Sequence, residues 1–197
     1  MAKLFYFYAA MNSGKSTQLL QVAHNYTERS QNVLLLKPKI DTRTANTIGS
    51  RIGISKACLS VDVGVNLVDF FKSQTIKYDC ILVDEAQFLT EDQVWQLSDI
   101  VDKLHIPVMC YGLRTDFLGN LFEGSRTLLA IADSITEVRG ICECGRKACM
   151  VARVDSNGNA ILRGEQVCIG AEETYVSFCR ACWKKKLITN WTRKTIY

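Results

Sequence analysis

Few folds accommodate a short apolar run that empties directly into Ala9-Ala10-Met11-Asn12-Ser13-Gly14-Lys15-Ser16 and then into a helical pattern. A strand, a small-residue turn and a helix start in that order aim backbone N–H groups and the positive end of a helix at one point. That is a binding place for phosphate oxygens. In such a loop Lys15 reaches the β- and γ-phosphates of a bound nucleotide, and the Ser16 hydroxyl serves as a Mg²⁺ ligand. Ala9 stands where the usual pattern has its first glycine, so a methyl group is tolerated only if that position does not need a positive φ. The bland alternative is a chance Gly-Lys-Ser in a turn, which the strand–turn–helix context disfavours.

The segments that follow extend this frame. Residues 3–8, 32–37, 80–83 and 108–112 read as short buried strands. Residues 15–29 and 90–104 carry apolar side chains at helical spacing, and Thr90 with Gln93 has the form of a capping box. Strands that alternate with helices predict a parallel sheet with helices on its faces. Residues 38–62 lack a clear period and are expected to form a long mobile loop. Beyond Ser134 the texture changes: a cysteine cluster, a turn signal at Asp155-Ser156-Asn157-Gly158 and a last helix over 180–187. We therefore expect a first domain over residues 1–138 and a second over 139–197.

Composition narrows the partners. The 197 residues are 48% hydrophobic and 22% charged, which suits a folded globular chain, and the formal net charge of +4 is too small to argue for nucleic acid. No apolar run approaches the ~20 residues of a membrane span. The first residues run straight into the phosphate loop rather than into a cleavage site, so no secretory leader is expected. The two Asn-x-Thr triplets, at Asn25 and Asn190, are read as coincidence. His24 and His105 neighbour no motif, and Lys184-Lys185-Lys186 suits an exposed helix end near its negative pole.

Two further constellations carry chemistry. Asp84-Glu85 follows the apolar run 80–83, which places an acidic pair at the end of a buried strand, where ligands of α/β proteins bind. Asp84 suits Mg²⁺, and Glu85 is the neighbouring carboxylate free to act as a base; alone, the pair is as well explained as a helix cap. Of nine cysteines, six lie between Cys142 and Cys182. Cys142-x-Cys144 and Cys179-x-x-Cys182 have the close pairing of a structural Zn²⁺ site, with Cys149 as an alternative ligand. Ordinary unliganded thiols are the competing reading.

In order and spacing these motifs resemble the zinc-containing, tetrameric thymidine kinase family of bacteria, large DNA viruses and animal cytosol. The resemblance runs through Met11–Thr17, Asp41-Thr42-Arg43, Asp84–Phe88, Gly112–Phe117, Cys142–Lys147, Val167–Gly170 and Tyr175–Cys182. It implies a P-loop NTPase (RecA-like) sheet with a small zinc-ribbon and lasso domain. It also implies ATP:thymidine 5′-phosphotransferase activity, giving dTMP, with deoxyuridine as a further substrate in pyrimidine deoxynucleotide salvage. Residues 9–16 and Asp84, Glu85, Ala86 and Gln87 match nucleotide-binding segments, and Glu85 matches the proton acceptor. Met11, Phe88, Leu113 and Phe117 match the substrate pocket. Gln166, Val167, Cys168, Ile169, Gly170 and Tyr175 match a lasso that grips the thymine ring through backbone groups. Cys168 stands where a valine often occurs, which argues against its being a metal ligand. ATP, Mg²⁺, structural Zn²⁺, dTTP feedback, a homotetramer and a cytoplasmic location are further expectations of the resemblance.

A different class, a nucleic-acid-binding P-loop ATPase with a zinc ribbon, shares the loop and the cysteines. It lacks support from charge or from aromatic residues interleaved with Lys and Arg. A non-catalytic nucleotide sensor is disfavoured because Lys15, Ser16, Asp84 and Glu85 are all intact.

Overall fold

Six short strands, all parallel, carry the architecture. The computed structural model describes residues 1–39, 46–164, 166 and 174–188. In chain order β1 (Leu4–Ala9) leads to α1 (Lys15–Glu28) and β2 (Val33–Pro38). A hairpin of β3 (Thr47–Gly49) and β4 (Ser55–Ala57) precedes β5 (Leu59–Val61) and α2 (Leu67–Lys72). Then come β6 (Cys80–Val83), a single 3-10 turn at Ala86–Phe88, α3 (Glu91–Leu104), β7 (Val108–Leu113), α4 (Glu123–Ile131) and β8 (Ser134–Glu137). The sheet order is β5-β2-β6-β7-β1-β8, so β1 sits inside the sheet with the phosphate loop at its end.

Alternation along the strands divides the core into two layers. Leu34 and Leu36, Ile81 and Val83, and Val108 and Cys110 face α2, α3 and α4, where Leu67, Val94, Leu97, Ile100 and Leu128 are buried. Their neighbours Leu35, Leu82 and Tyr111 face α1 through Leu19, Leu20 and Ala23, with Ile48 of the hairpin completing that layer. Truncating a side chain such as Leu82, fully buried, to alanine costs about 2–5 kcal/mol.

The capping box forms: Gln93 N–H donates to Thr90 Oγ1 at 3.2 Å and Thr90 N–H to Gln93 Oε1 at 3.3 Å. His105 ends α3 at φ 58°, and His24 pairs with Glu28 on an exposed face. The expected loop over 38–62 is corrected: β3, β4 and β5 lie within it. The first two are three-residue strands that pair only with each other, and β5 is defined by hydrogen bonding to β2. Three residues are too few to show a period of two.

Beyond β8 the chain builds a smaller unit. β9 (Gly140–Ile141) pairs antiparallel with β10 (Lys147–Ala148), and β11 (Met150–Val154) with β12 (Thr174–Phe178); α5 (Arg180–Ile188) follows. The turn at Asp155 forms, with Gly158 N–H donating to Asp155 O at 2.9 Å. It returns only to a single bridge at Ala160, while the long partner of β11 is β12. Lys184, Lys185 and Lys186 are all exposed on α5.

Candidate active site and metal centre

The phosphate loop leaves β1 at Ala9, whose φ is not positive; within the loop the residues of positive φ are Asn12 at 60° and Gly14 at 82°. The alanine is therefore accommodated because the strand has not yet turned. Asn tolerates the left-handed region better than most residues, and glycine enters it freely. Lys15 is buried, and its Nζ donates to Ala10 O at 3.0 Å. Burial pulls the Lys15 ammonium below its ordinary value, while Glu85 and Asp84 favour its charge.

Across from the loop, β6 delivers the acidic pair. Ser16 Oγ donates to Asp84 Oδ2 at 3.0 Å, and the Glu85 N–H donates to Asp84 Oδ1 at 3.0 Å. Burial pushes the Asp84 carboxyl up to about 6, and the charge of Glu85 adds to the rise. The Ser16 hydroxyl, the Glu85 N–H and Lys15 act in the other direction. A buried carboxylate whose charge is incompletely compensated, beside a hydroxyl, is a hard-oxygen donor set that fits Mg²⁺. Glu85 itself sits at φ 52°, an uncommon backbone for a residue with a side chain, and its Oε2 accepts from Gln87 Nε2 at 2.6 Å.

These groups open into one cavity of about 470 Å³. Loop residues Met11 to Ser16 line it with Asp84, Glu85 and Gln87, and so do Phe88, Leu113, Gln166 and Tyr175. Gln166 Nε2 donates to Asp116 Oδ2 at 3.0 Å. Ala9, Ala10, Ala86 and Phe117 do not line the cavity; Phe117 is buried, with the Arg153 guanidinium 5.4 Å from its ring centroid. Val167, Cys168, Ile169 and Gly170 lie outside the described residues, as does Asp41-Thr42-Arg43. The sequence reading missed Lys37, Phe122 and the hairpin residues 47–52, which also line the cavity. A lone lysine ending the apolar run Val33–Pro38 was the available signal for Lys37; the hairpin offered none.

The four cysteines Cys142, Cys144, Cys179 and Cys182 converge, their sulfurs all within 4.8 Å of one another. Cys144 Sγ lies 3.5 Å from Cys142 Sγ and 3.7 Å from Cys179 Sγ. Tetrahedral thiolates at ~2.3 Å from Zn²⁺ sit about 3.8 Å apart, so the donor set fits zinc. The Cys182 backbone N–H draws the Cys179 thiol down to about 7, which favours the thiolate a metal requires. Cys149 is not in the cluster; its carbonyl accepts from Arg114 Nη2 at 3.2 Å.

This unit is joined to the phosphate loop. Ser177 Oγ donates to Met11 O at 2.6 Å, and a Cβ on Gly140 would come within 2.4 Å of Ser13 Oγ. β9 therefore runs so close to the loop that a side chain at Gly140 would displace the Ser13 hydroxyl.

A parallel sheet ending in a Gly-Lys-Ser loop, with a buried acidic pair beside it and a nucleoside-sized cavity, defines a P-loop nucleotide-dependent phosphotransferase. The family model described as Thymidine kinase matches residues 2–183. A thymidine kinase of Idiomarina loihiensis is 53% identical over 190 residues, covering 95% of this chain and 98% of the relative. One of Legionella pneumophila is 54% identical over 189 residues, 94% of this chain and 90% of the relative. One of Rhodopirellula baltica is 53% identical over 190 residues, with 95% and 90% covered. The chain belongs to the thymidine kinase family. Among the described residues, no helix is long and apolar enough to cross a membrane.

Proposed function

We propose that this enzyme transfers the γ-phosphate of ATP to the 5′-hydroxyl of thymidine. One observation carries the reading: a single cavity is lined both by the phosphate loop with its acidic pair and by Phe88, Leu113 and Tyr175. Phosphate and an apolar ring are thereby accommodated in one space. Lys15 neutralises charge on the transferring phosphate, and Glu85 accepts the hydroxyl proton as the new P–O bond forms and the bond to the β,γ-bridging oxygen breaks, releasing ADP. Ser16 and Asp84 would hold Mg²⁺, which when bound supplies charge neutralisation on the phosphate oxygens. Gln166 and Tyr175, at the two ends of the lasso segment, support selection of a pyrimidine, including deoxyuridine, through close polar contacts that a purine does not satisfy.

Zn²⁺ held by the four thiolates of Cys142, Cys144, Cys179 and Cys182 would be structural, since four protein ligands would leave no open position for substrate. dTTP joins a thymine to a triphosphate and so suits a cavity lined by both the phosphate loop and aromatic side chains, which supports it as a feedback inhibitor. The homotetramer and the cytoplasmic location rest on the family resemblance; a thiolate metal site also requires a compartment that keeps cysteine reduced. Phosphate transfer measured over a nucleoside panel, with single-stranded DNA as a further arm, tests the reading. Thymidine and deoxyuridine are expected to be phosphorylated, purine nucleosides not. ATP turnover stimulated by DNA and indifferent to thymidine would reverse it in favour of a nucleic-acid-dependent ATPase.

A further inference from the structure

The polar ends of the Gln87 side chain are both engaged within the protein. Gln87 is 1% exposed. Its Oε1 accepts from the Leu113 N–H at 2.9 Å, and its Nε2 donates to Glu85 Oε2 at 2.6 Å. The orientation of this amide is not free. A backbone N–H only donates, so the oxygen must face Leu113, and the NH₂ is left facing the Glu85 carboxylate.

The Leu113 peptide is itself fixed from its other side. Its carbonyl accepts from Ser125 Oγ at 2.5 Å and from the Tyr6 hydroxyl at 2.9 Å. Space for the amide is also set by the backbone: a Cβ on Gly112 would lie 2.8 Å from Gln87 Oε1 and 3.0 Å from Gln87 N. The turn that carries Gln87 is held by α4, where a Cβ on Gly124 would come 2.5 Å from Ala86 O. Three elements thus lock one amide against Glu85, whose own backbone is in the left-handed region.

We propose that Gln87 is a positioning residue for the proposed base: it aims the Glu85 carboxylate and ties it to Leu113, which lines the same cavity. The inference rests on the reading of Glu85 as the proton acceptor. A carboxylate on a flexible side chain samples several rotamers, and a base displaced by about 1 Å loses on the order of 10²-fold in rate. One donor on one carboxylate oxygen holds Glu85 in register and leaves its other oxygen, Oε1, for the substrate proton.

The test is a double-mutant cycle on the zinc-loaded full chain, with kcat and both KM values measured for wild type, E85Q, Q87M and E85Q/Q87M. Methionine keeps the volume of glutamine and removes both polar ends. Q87M is expected to lower kcat about 10- to 100-fold while both KM values move less than about threefold. In the E85Q background the same change should cost almost nothing further, because a residue that acts through the base has nothing left to aim. Equal losses in the two backgrounds would assign Gln87 a general structural role and overturn the proposal, leaving the base intact. Full kcat in E85Q alone overturns the base assignment and this inference with it. Where Q87M fails to fold, Q87E runs the same cycle. It retains an acceptor for the Leu113 N–H but turns the contact with Glu85 repulsive, and kcat kept at the wild-type level in Q87E overturns the proposal.

Discussion

The sheet body and the cysteine unit are stabilised in different ways. The body has two apolar layers, one on each face, with buried strands sealed by helices. Among its described residues, the unit from β9 to α5 has a single small cluster, chiefly Ala148, Ala152, Phe178, Trp183 and Leu187 beside Cys142 and Cys179. A core that small rarely supports itself without a disulfide or a metal. On this basis we expect the sheet body, which carries the proposed catalytic groups, to hold its fold without metal, and the unit that carries Tyr175 and the loop-facing Ser177 to need it.

Metal removal should break the comparison most forcefully. Structural zinc contributes on the order of 10 kcal/mol or more in small thiolate modules. Chelation is expected to abolish hydrogen-exchange protection in β11, β12 and α5 while β1, β6 and β7 stay protected. Simultaneous loss in both regions, or in neither, would show that the two are not separable in this way.

The reverse experiment leaves the unit untouched and disables the body. K15A removes a buried cation from the phosphate site, and losing one such electrostatic group is worth about 3–4 kcal/mol of barrier. A fall in kcat of at least about 10²-fold is expected, with the zinc content and exchange pattern of wild type; near-normal turnover would remove the phosphate-loop assignment.

G140A probes the junction. The added methyl meets Ser13 Oγ, and overpacking of this kind costs about 1–3 kcal/mol, read as a lower melting temperature. S13A in the same chain should recover most of it, since the nearest clashing atom is then gone. A G140A chain as stable as wild type would mean that the two parts separate easily.

The smallest effect concerns Asp84. Its folded-state value of about 6 lies above the ordinary 3.8, so the folded chain binds this proton more tightly than the unfolded one. Its ionisation accordingly costs stability, and that cost grows as pH rises from about 4 through 6. D84N should stabilise the Mg²⁺-free enzyme near pH 7, read as a melting temperature a few degrees higher, while removing activity. The advantage should shrink as pH falls through 6 toward 4 and vanish below about 3, where wild-type Asp84 is protonated in both states. A variant less stable than wild type at pH 7 would contradict the role of burial.

Short-range signals were well represented in the sequence. The phosphate loop, the strands near 3–8, 32–37, 80–83 and 108–112, and the capped helix over 90–104 all announce themselves in patterns only a few residues long. The acidic pair was legible for the same reason, as its position follows from the strand before it. The hairpin of β3 and β4 was not, and with it the lining residues 47–52 were missed. Its strands are too short to show alternation, and their placement depends on Ile48 reaching the layer under α1.

Local pattern alone determined the phosphate loop, the parallel α/β class and the two cysteine pairs, because each depends on residues close in sequence. Tertiary structure decided which four of the cysteines converge, that Phe117 lies beneath Arg153 rather than along the cavity, and that Gln87 spans Leu113 and Glu85. Those outcomes require segments 26 to 40 positions apart to meet, as Gln87 with Leu113 and Cys142 with Cys182 do. No local preference encodes such meetings; they are set when the sheet order and the packed layers bring strand ends together.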